Sequence, residues 1–174
     1  MIQLSNGRGQ LGEKLKEKID QHQVDSDITI YHTWKVPHLY EPKPGEEEEI
    51  QKQEYLKLIK YSQDNPNTKI IFISTNSNRP TVYTYYKELA ESYLLLNHKK
   101  CVILKFPVFI GNGVIKKLKT GELKPYGVTE VITLEKAVDT IFSFVNYNSL
   151  KRVFIIDGEK IEAKTIVEIL KING

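Results

Sequence analysis

The 174-residue sequence has little cysteine, tryptophan or methionine, with one residue of each. A single cysteine excludes an intramolecular disulfide framework. No apolar run approaches the roughly 20 residues that a membrane-spanning helix needs, and the chain does not open with a charged segment and a long apolar run. The four histidines show no metal-ligand spacing, so no metal site is predicted. We therefore expect a cytoplasmic protein that does not bind membranes.

The sequence also lacks a strong excess of one charge. It has 25 Lys+Arg against 22 Asp+Glu, and the two signs are interleaved along the chain. Nucleic-acid-binding proteins instead concentrate their basic residues on one patch or stripe. No nucleic-acid partner is predicted, and the length suits one domain over residues 1–174.

Short runs rich in β-branched residues alternate with longer segments of helical periodicity. Strands are predicted at 2–5, 27–32, 69–74, 101–106 and 152–156. Helices are predicted around Leu11, Leu15 and Ile19, at 47–62 with Ile50, Leu56 and Ile59 inward, at 80–97, from Leu134 to Val145, and from Ala163 to Leu170. Segments 37–45 and 110–127, rich in proline or glycine, are predicted as loops. The alternation predicts the α/β class, with a parallel sheet and helices on both faces.

Three glycines follow the first predicted strand and open the first predicted helix. Gly7, Gly9 and Gly12 have the GxGxxG spacing, which lets the backbone approach a pyrophosphate at a helix N-terminus. An ordinary glycine-rich turn is the alternative. The acidic residue expected about 20 positions further on is missing, since the next strand ends near His32 and Lys35.

Tyr83 and Lys87 are four residues apart on a predicted helix and therefore share one face. The strand before that helix ends on hydroxyl residues, among them Thr75 and Ser77, at the end of the sheet where ligands of open α/β proteins bind. A nearby lysine favours the phenolate, and such a pair moves protons on a sugar hydroxyl or carbonyl. The same spacing recurs at Tyr31 and Lys35 and at Tyr147 and Lys151. A core tyrosine with a solvated lysine is the alternative.

Six segments resemble, in order, the extended short-chain dehydrogenase/reductases that act on nucleotide sugars, nearest to dTDP-dehydrorhamnose reductase-like proteins. They are NGRGQLGEKL, DITIYHTW, IIFISTNS, YTYYKELAE, VILKFPVFIGNG and VTEVITLEKAVDTI. The resemblance implies a Rossmann-like fold that binds NAD or NADP. It implies Tyr83 as general acid/base, Lys87 as the residue that orients the nicotinamide ribose and lowers the pKa of Tyr83, and Thr75 or Ser77 as ligand of the reacting oxygen. It also implies cofactor contacts from Gly7, Gly9, Gln10, Leu11, Gly12 and Pro107.

The sequence departs from that family in several places. Asn6 stands where the first glycine of the loop is usual, and Lys105 stands where the family has arginine. If DITIYHTW is the family's fourth strand, the second and third strands, with the adenosine pocket and the ribose acid, are missing. We therefore expect a small Rossmann-like sheet that lacks part of the adenosine-binding half, with a short substrate-side extension at about 107–174.

The resemblance implies a reductase, epimerase or dehydratase of a nucleotide sugar in polysaccharide or glycan precursor synthesis. The departures favour an alternative, a non-catalytic binding or regulatory subunit that has lost cofactor binding. The helices at 47–62 and 80–97 correspond to those of the family's dimer bundle, so a homodimer is expected. Trp34, with His38 and Tyr40, forms either an aromatic wall over a ligand or a cover of the core.

Overall fold

The structure is a computed structural model that describes residues 1–5, 9–22, 27–32, 34–35, 45–111, 120, 127–162, 164–165 and 168. Eight strands and four helices have defined bounds in that part of the chain. In chain order they are β1 (Ile2–Leu4), α1 (Gln10–Ile19), β2 (Ile28–Tyr31), α2 (Glu46–Asp64), β3 (Lys69–Thr75), α3 (Val82–Asn97), β4 (Cys101–Phe106), β5 (Val108–Ile110), β6 (Val128–Thr133), α4 (Leu134–Ser143), β7 (Val153–Ile155) and β8 (Glu159–Glu162). The predicted helix from Ala163 to Leu170 falls largely outside the described residues.

Five strands form the main sheet in the order β1-β2-β3-β4-β7, and every neighbouring pair is parallel. The five predicted strands are these five, and the predicted α/β fold is confirmed. Their apolar runs are continuous because helices cover both faces. Among the described residues no strand pairs with β1 on its other side, so β1 lies at an edge. That position agrees with the expected loss of two strands beside it.

Two helices cover each face of this sheet. Leu15 of α1 and Ile141 of α4 pack with β-strand residues such as Ile30 and Leu104 on one face. Leu58 of α2, together with Ala90 and Leu94 of α3, packs on the other face. Lys14 pairs with Glu135, and Lys18 with Asp139, which links α1 to α4 at the surface. Within the described residues no helix is long and apolar enough to cross a membrane.

The inward face of α2 differs from the predicted one. Leu56 is 43% exposed, whereas Gln51, Glu54 and Ser62 are buried with Leu58. Periodicity of apolar residues cannot find a stripe that is mostly polar, because each buried polar side chain is stabilised by a hydrogen bond or ion pair that the sequence does not display.

A second sheet was not predicted. Its order is β5-β6-β8, with β5 and β6 parallel and β6 and β8 antiparallel. The amide of Gly158 donates to the carboxylate of Glu130 at 2.7 Å. A Cβ at Gly158 would lie 2.4 Å from the carbonyl oxygen of Val131 and 2.9 Å from Cγ of Pro107, so only glycine fits there. Most of segment 110–127, predicted as a loop, is outside the described residues.

Candidate functional site

The N-terminus of α1 has the backbone geometry of an anion site. Gly9 precedes it with φ 84°, a left-handed conformation that favours glycine, and a Cβ there would meet no described residue within 4 Å. The first intrahelical hydrogen bond is donated by the amide of Glu13 to the carbonyl of Gly9. The amides of Gln10, Leu11 and Gly12 therefore have no acceptor inside the helix, the arrangement that binds phosphate. Gly7, also predicted to bind cofactor, lies outside the described residues.

Gln10 joins this helix end to the end of β5. A Cβ at Gly111 would lie 2.3 Å from Oε1 of Gln10 and 2.9 Å from Cδ1 of Leu134. The Gln10 side chain thus rests directly on the Gly111 backbone, and a side chain at position 111 would displace the ends of the Gln10 and Leu134 side chains. Gln10 and Gly111 belong to two of the segments that carry the family resemblance, NGRGQLGEKL and VILKFPVFIGNG. Sequence reasoning assigned Gly111 only to a loop.

Tyr83 and Lys87 lie on one face of α3, beside the carboxyl end of β3, as predicted. Nζ of Lys87 donates to the carbonyl of Ile73 at 2.8 Å and lies 5.9 Å from the centre of the Tyr83 ring. Burial raises the pKa of the Tyr83 phenol. The expected direction was downward, by charge from Lys87, so desolvation decides the pKa of Tyr83 in this structure.

The Lys87 ammonium sits in a nearly closed aromatic box. Only 3% of Lys87 is exposed, and Nζ lies 4.5 Å from the ring centre of Trp34 and 4.6 Å from that of Phe72. Burial lowers the pKa of Lys87 to about 7, while the carboxylates of Glu91 and Glu54 act in the opposite direction. A cofactor ribose cannot reach this ammonium while the box is closed.

Trp34 is anchored to α2 by Gln51, which is fully buried. Nε1 of Trp34 donates to Oε1 of Gln51 at 2.6 Å, and Nε2 of Gln51 donates to the carbonyl of Lys35 at 2.9 Å. Trp34 is itself 8% exposed and contacts Phe72 edge-on. Of the two alternatives for Trp34, the described contacts favour a cover of the core. His38 and Tyr40 lie outside the described residues.

Thr75 and Ser77 stand at the carboxyl end of β3, where they were predicted. The amide of Ser77 donates to Oγ1 of Thr75 at 3.1 Å, and the amide of Arg79 donates to Oγ of Ser77 at 3.3 Å. These bonds use a lone pair of each hydroxyl and not its proton. Both hydroxyl protons can therefore be donated to another oxygen.

A buried polar network, not foreseen from the sequence, holds α3 to the sheet. Glu91 accepts from Oγ of Ser74 at 2.6 Å and from Nζ of Lys105 at 3.0 Å. Lys105 is the residue that stands in place of the family arginine, and Glu91 ends the segment YTYYKELAE. Lys105 and Glu91 lie in two different segments of the family resemblance, and the structure brings them into direct contact.

Pro107 is buried between β4 and β5, against Gly158. An open cavity of 550 Å³ lies at the start of α3, where Arg79, Val82 and Tyr85 are among its lining residues; Pro107, Tyr83 and Lys87 do not line it. A nicotinamide pocket that includes Pro107 stays a prediction.

No protein-family model matches the chain, and no curated protein matches it in sequence. Solved structures match its fold. An L-threonine dehydrogenase from Phytophthora infestans has a TM-score of 0.75 at 12% identity, over 99% of this chain and 81% of its own. A dTDP-4-dehydrorhamnose reductase from Clostridium acetobutylicum has 0.72 at 15%, over 99% and 80%. A Bordetella bronchiseptica enzyme in complex with NAD and UDP has 0.69 at 14%, over 99% and 77%.

These similarities define the class of fold. The chain has the Rossmann-like fold of these solved structures, as the sequence resemblance implied. Sequence identities of 11–15% show only the fold, so the activity has to be inferred from the residues of the site.

Proposed function

We propose that the protein is an NAD(P)-dependent reductase, epimerase or dehydratase of a nucleotide sugar in polysaccharide or glycan precursor synthesis. The observation that carries the proposal is the placement of Tyr83 and Lys87 on one face of α3, behind the hydroxyls of Thr75 and Ser77 at the end of β3. It agrees with the order of residues in YxxxK enzymes, and the fold neighbours include proteins described with NAD and UDP.

The residues around the N-terminus of α1 fit a dinucleotide. The amides of Gln10, Leu11 and Gly12, beside Gly9, would hold the pyrophosphate; Gly7 stays a contact predicted from the sequence. Bound NAD or NADP would supply the hydride chemistry. The aromatic box admits a ribose hydroxyl to Lys87 only after it opens.

The side chains beside β3 would handle the proton. Thr75 or Ser77 donates a hydrogen bond to the reacting substrate oxygen, and the Tyr83 phenol delivers or removes a proton at that oxygen. Because burial raises the pKa of Tyr83, its phenol is protonated at neutral pH. The phenol therefore begins the step as the acid, which is the role that reduction of a carbonyl requires, and its raised pKa makes it a weaker acid than an exposed tyrosine.

The substrate class rests on the sequence resemblance and on the neighbour bound to UDP. The fold alone is broader, since L-threonine dehydrogenases share it at least as closely. We expect the reaction to take place in the cytoplasm, in a homodimer formed through α2 and α3.

The second candidate is a non-catalytic binding or regulatory subunit. Two observations favour it: the closed box around Lys87 and the edge position of β1, beside which the family's adenosine pocket would lie. This candidate predicts no turnover and a stable complex with a partner enzyme.

Cofactor titration separates the two candidates. We expect calorimetry to give micromolar binding of NADH or NADPH that is lost in Gly9→Asp, because a side chain and a negative charge enter the phosphate loop. Gly127→Asp is the matched control, since Gly127 also has positive φ and open space at Cβ.

In turnover assays with sugar nucleotides, Tyr83→Phe abolishes activity, and Tyr85→Phe, at an exposed position, retains it. Absence of binding at millimolar cofactor rejects the redox function.

A further inference from the structure

Among the described residues, Lys87 has one hydrogen-bond partner and three aromatic neighbours. Its ammonium carries three N–H groups, of which one donates to the carbonyl of Ile73. The rings of Trp34, Phe72 and Tyr83 lie around the rest. Any ligand oxygen that reaches Nζ must therefore replace one of these rings.

The three rings differ in how they are held. Phe72 lies in the central strand β3 and is fully buried between two helices. Tyr83 belongs to the same helix as Lys87, one turn away. Trp34 follows β2 and makes one polar contact through its indole, to Gln51. Of the three aromatic residues, Trp34 alone lies outside the described strands and helices, so its displacement requires no strand or helix among them to move.

We propose that Trp34 is a removable cover of the Lys87 amine and that Gln51 is the positioning residue that keeps it closed. The proposal rests on the proposed function for its ligand: a cofactor ribose hydroxyl reaches Lys87 when the indole leaves. Closed and open forms then exist in equilibrium, and the cofactor selects the open one. The apparent dissociation constant is raised in inverse proportion to the open fraction.

Chemical labelling of Lys87 tests the cover without any cofactor. Reductive methylation with formaldehyde and a borane, followed by peptide mass spectrometry, reads each lysine separately. We expect slow methylation of Lys87 in the wild type and a rate at least about tenfold higher in Trp34→Ala, if the open form is a minor state of a few per cent. The proposal is overturned if Lys87 of the wild type is methylated as fast as the exposed Lys60. It is also overturned if Lys87 stays protected in Trp34→Ala.

Lys69 is the internal control for unfolding, because its Nζ is held by three backbone carbonyls on a different part of the sheet. It must stay protected in every variant compared. If Trp34→Ala also exposes Lys69, the variant Gln51→Leu replaces it as the test of the cover. Gln51→Leu removes the acceptor of the Trp34 indole and fills the same space with an apolar side chain. A several-fold faster methylation of Lys87 alone supports the cover, and an unchanged rate overturns it.

Cofactor binding supplies a second, separate result. If NAD⁺ binds, we expect Trp34→Ala to bind it about tenfold to a hundredfold more tightly by calorimetry. Because Trp34 is the only tryptophan, its emission must also change as NAD⁺ saturates the wild type. Equal affinity in both proteins, or no change in emission, overturns the cover. If neither the wild type nor Trp34→Ala binds NAD⁺, the proposed function fails, and the methylation rates alone test whether Trp34 covers Lys87.

Discussion

At the scale of single residues, charge in the core depends on neighbours from distant parts of the chain. Lys87 is surrounded by three aromatic rings and one carbonyl, with Glu91 and Glu54 further away. Its burial lowers the pKa to about 7, from an ordinary value of 10.5. The folded protein therefore binds fewer protons than the unfolded chain between these two pH values.

This difference predicts a pH dependence of stability. Since the unfolded state holds more protons in that window, the Lys87 contribution to the free energy of unfolding rises with pH, by up to about 1.4 kcal/mol per pH unit. Below about pH 7 both states are protonated, and the penalty of the buried charge is complete. We expect urea unfolding of Lys87→Met to show a flatter pH profile than the wild type between pH 7 and 10.5. Identical slopes in the two proteins would contradict the burial of a charged Lys87.

At the scale of elements, the ends of the helices are stabilised by specific contacts. Thr81 and Thr84 form a capping box at the start of α3, and Thr133 accepts from the amide of Lys136 at the start of α4. At the other end of α4, Nζ of Lys69 donates to the carbonyls of Phe144, Val145 and Tyr147 at 2.8, 2.9 and 2.5 Å. One lysine of β3 thus binds three carbonyls of the turn that follows α4, of which that of Phe144 also accepts from the amide of Tyr147.

Loss of that contact has a predictable cost. Because hydrogen bonds from a charged group contribute about 1.5–3 kcal/mol, we expect Lys69→Met to lower the free energy of unfolding by about that amount. Lys100→Met is the control, since its exposed side chain donates one bond, to the carbonyl of Asn67 at 3.1 Å. Denaturant unfolding at neutral pH measures both. Equal stabilities of the two variants would show that the carbonyls are satisfied equally well by water.

The elements also show where sequence prediction succeeded. The five strands of the main sheet were found because strands covered on both faces are continuous apolar runs. The strands β5, β6 and β8 were missed because each is partly exposed, so none of them shows the continuous buried run of a strand that is covered on both faces. In α2 the predicted inward Leu56 is exposed, because the buried stripe contains Gln51 and Glu54.

At the scale of the whole molecule, the expected homodimer has a candidate surface. Leu56 of α2 is 43% exposed, and Tyr85 and Leu96 of α3 are 57% and 84% exposed. These helices pack together on one face of the sheet, so their outer side forms one surface. Large exposed apolar side chains of this kind are typical of association sites.

Sedimentation velocity tests the dimer. We expect the wild type to sediment as a particle of twice 20.1 kDa, and the double variant Leu56→Glu with Leu96→Glu to sediment as a monomer, because charges would be buried without partners. Leu150→Glu serves as the control, since Leu150 is 99% exposed and lies outside both helices. A wild-type protein that sediments as a monomer at every concentration would contradict the predicted homodimer.

The sequence by itself determined the order of the five strands of the main sheet and of the four helices with defined bounds, and the place of Thr75, Ser77, Tyr83 and Lys87 at one end of that sheet. These follow from local periodicity and from the rule that parallel strands end at the same edge. Only the tertiary structure decided the charge and access of Lys87. Trp34, Gln51 and Phe72 come from three separate segments, and the local sequence around Lys87 carries no information about which of them desolvate its amine.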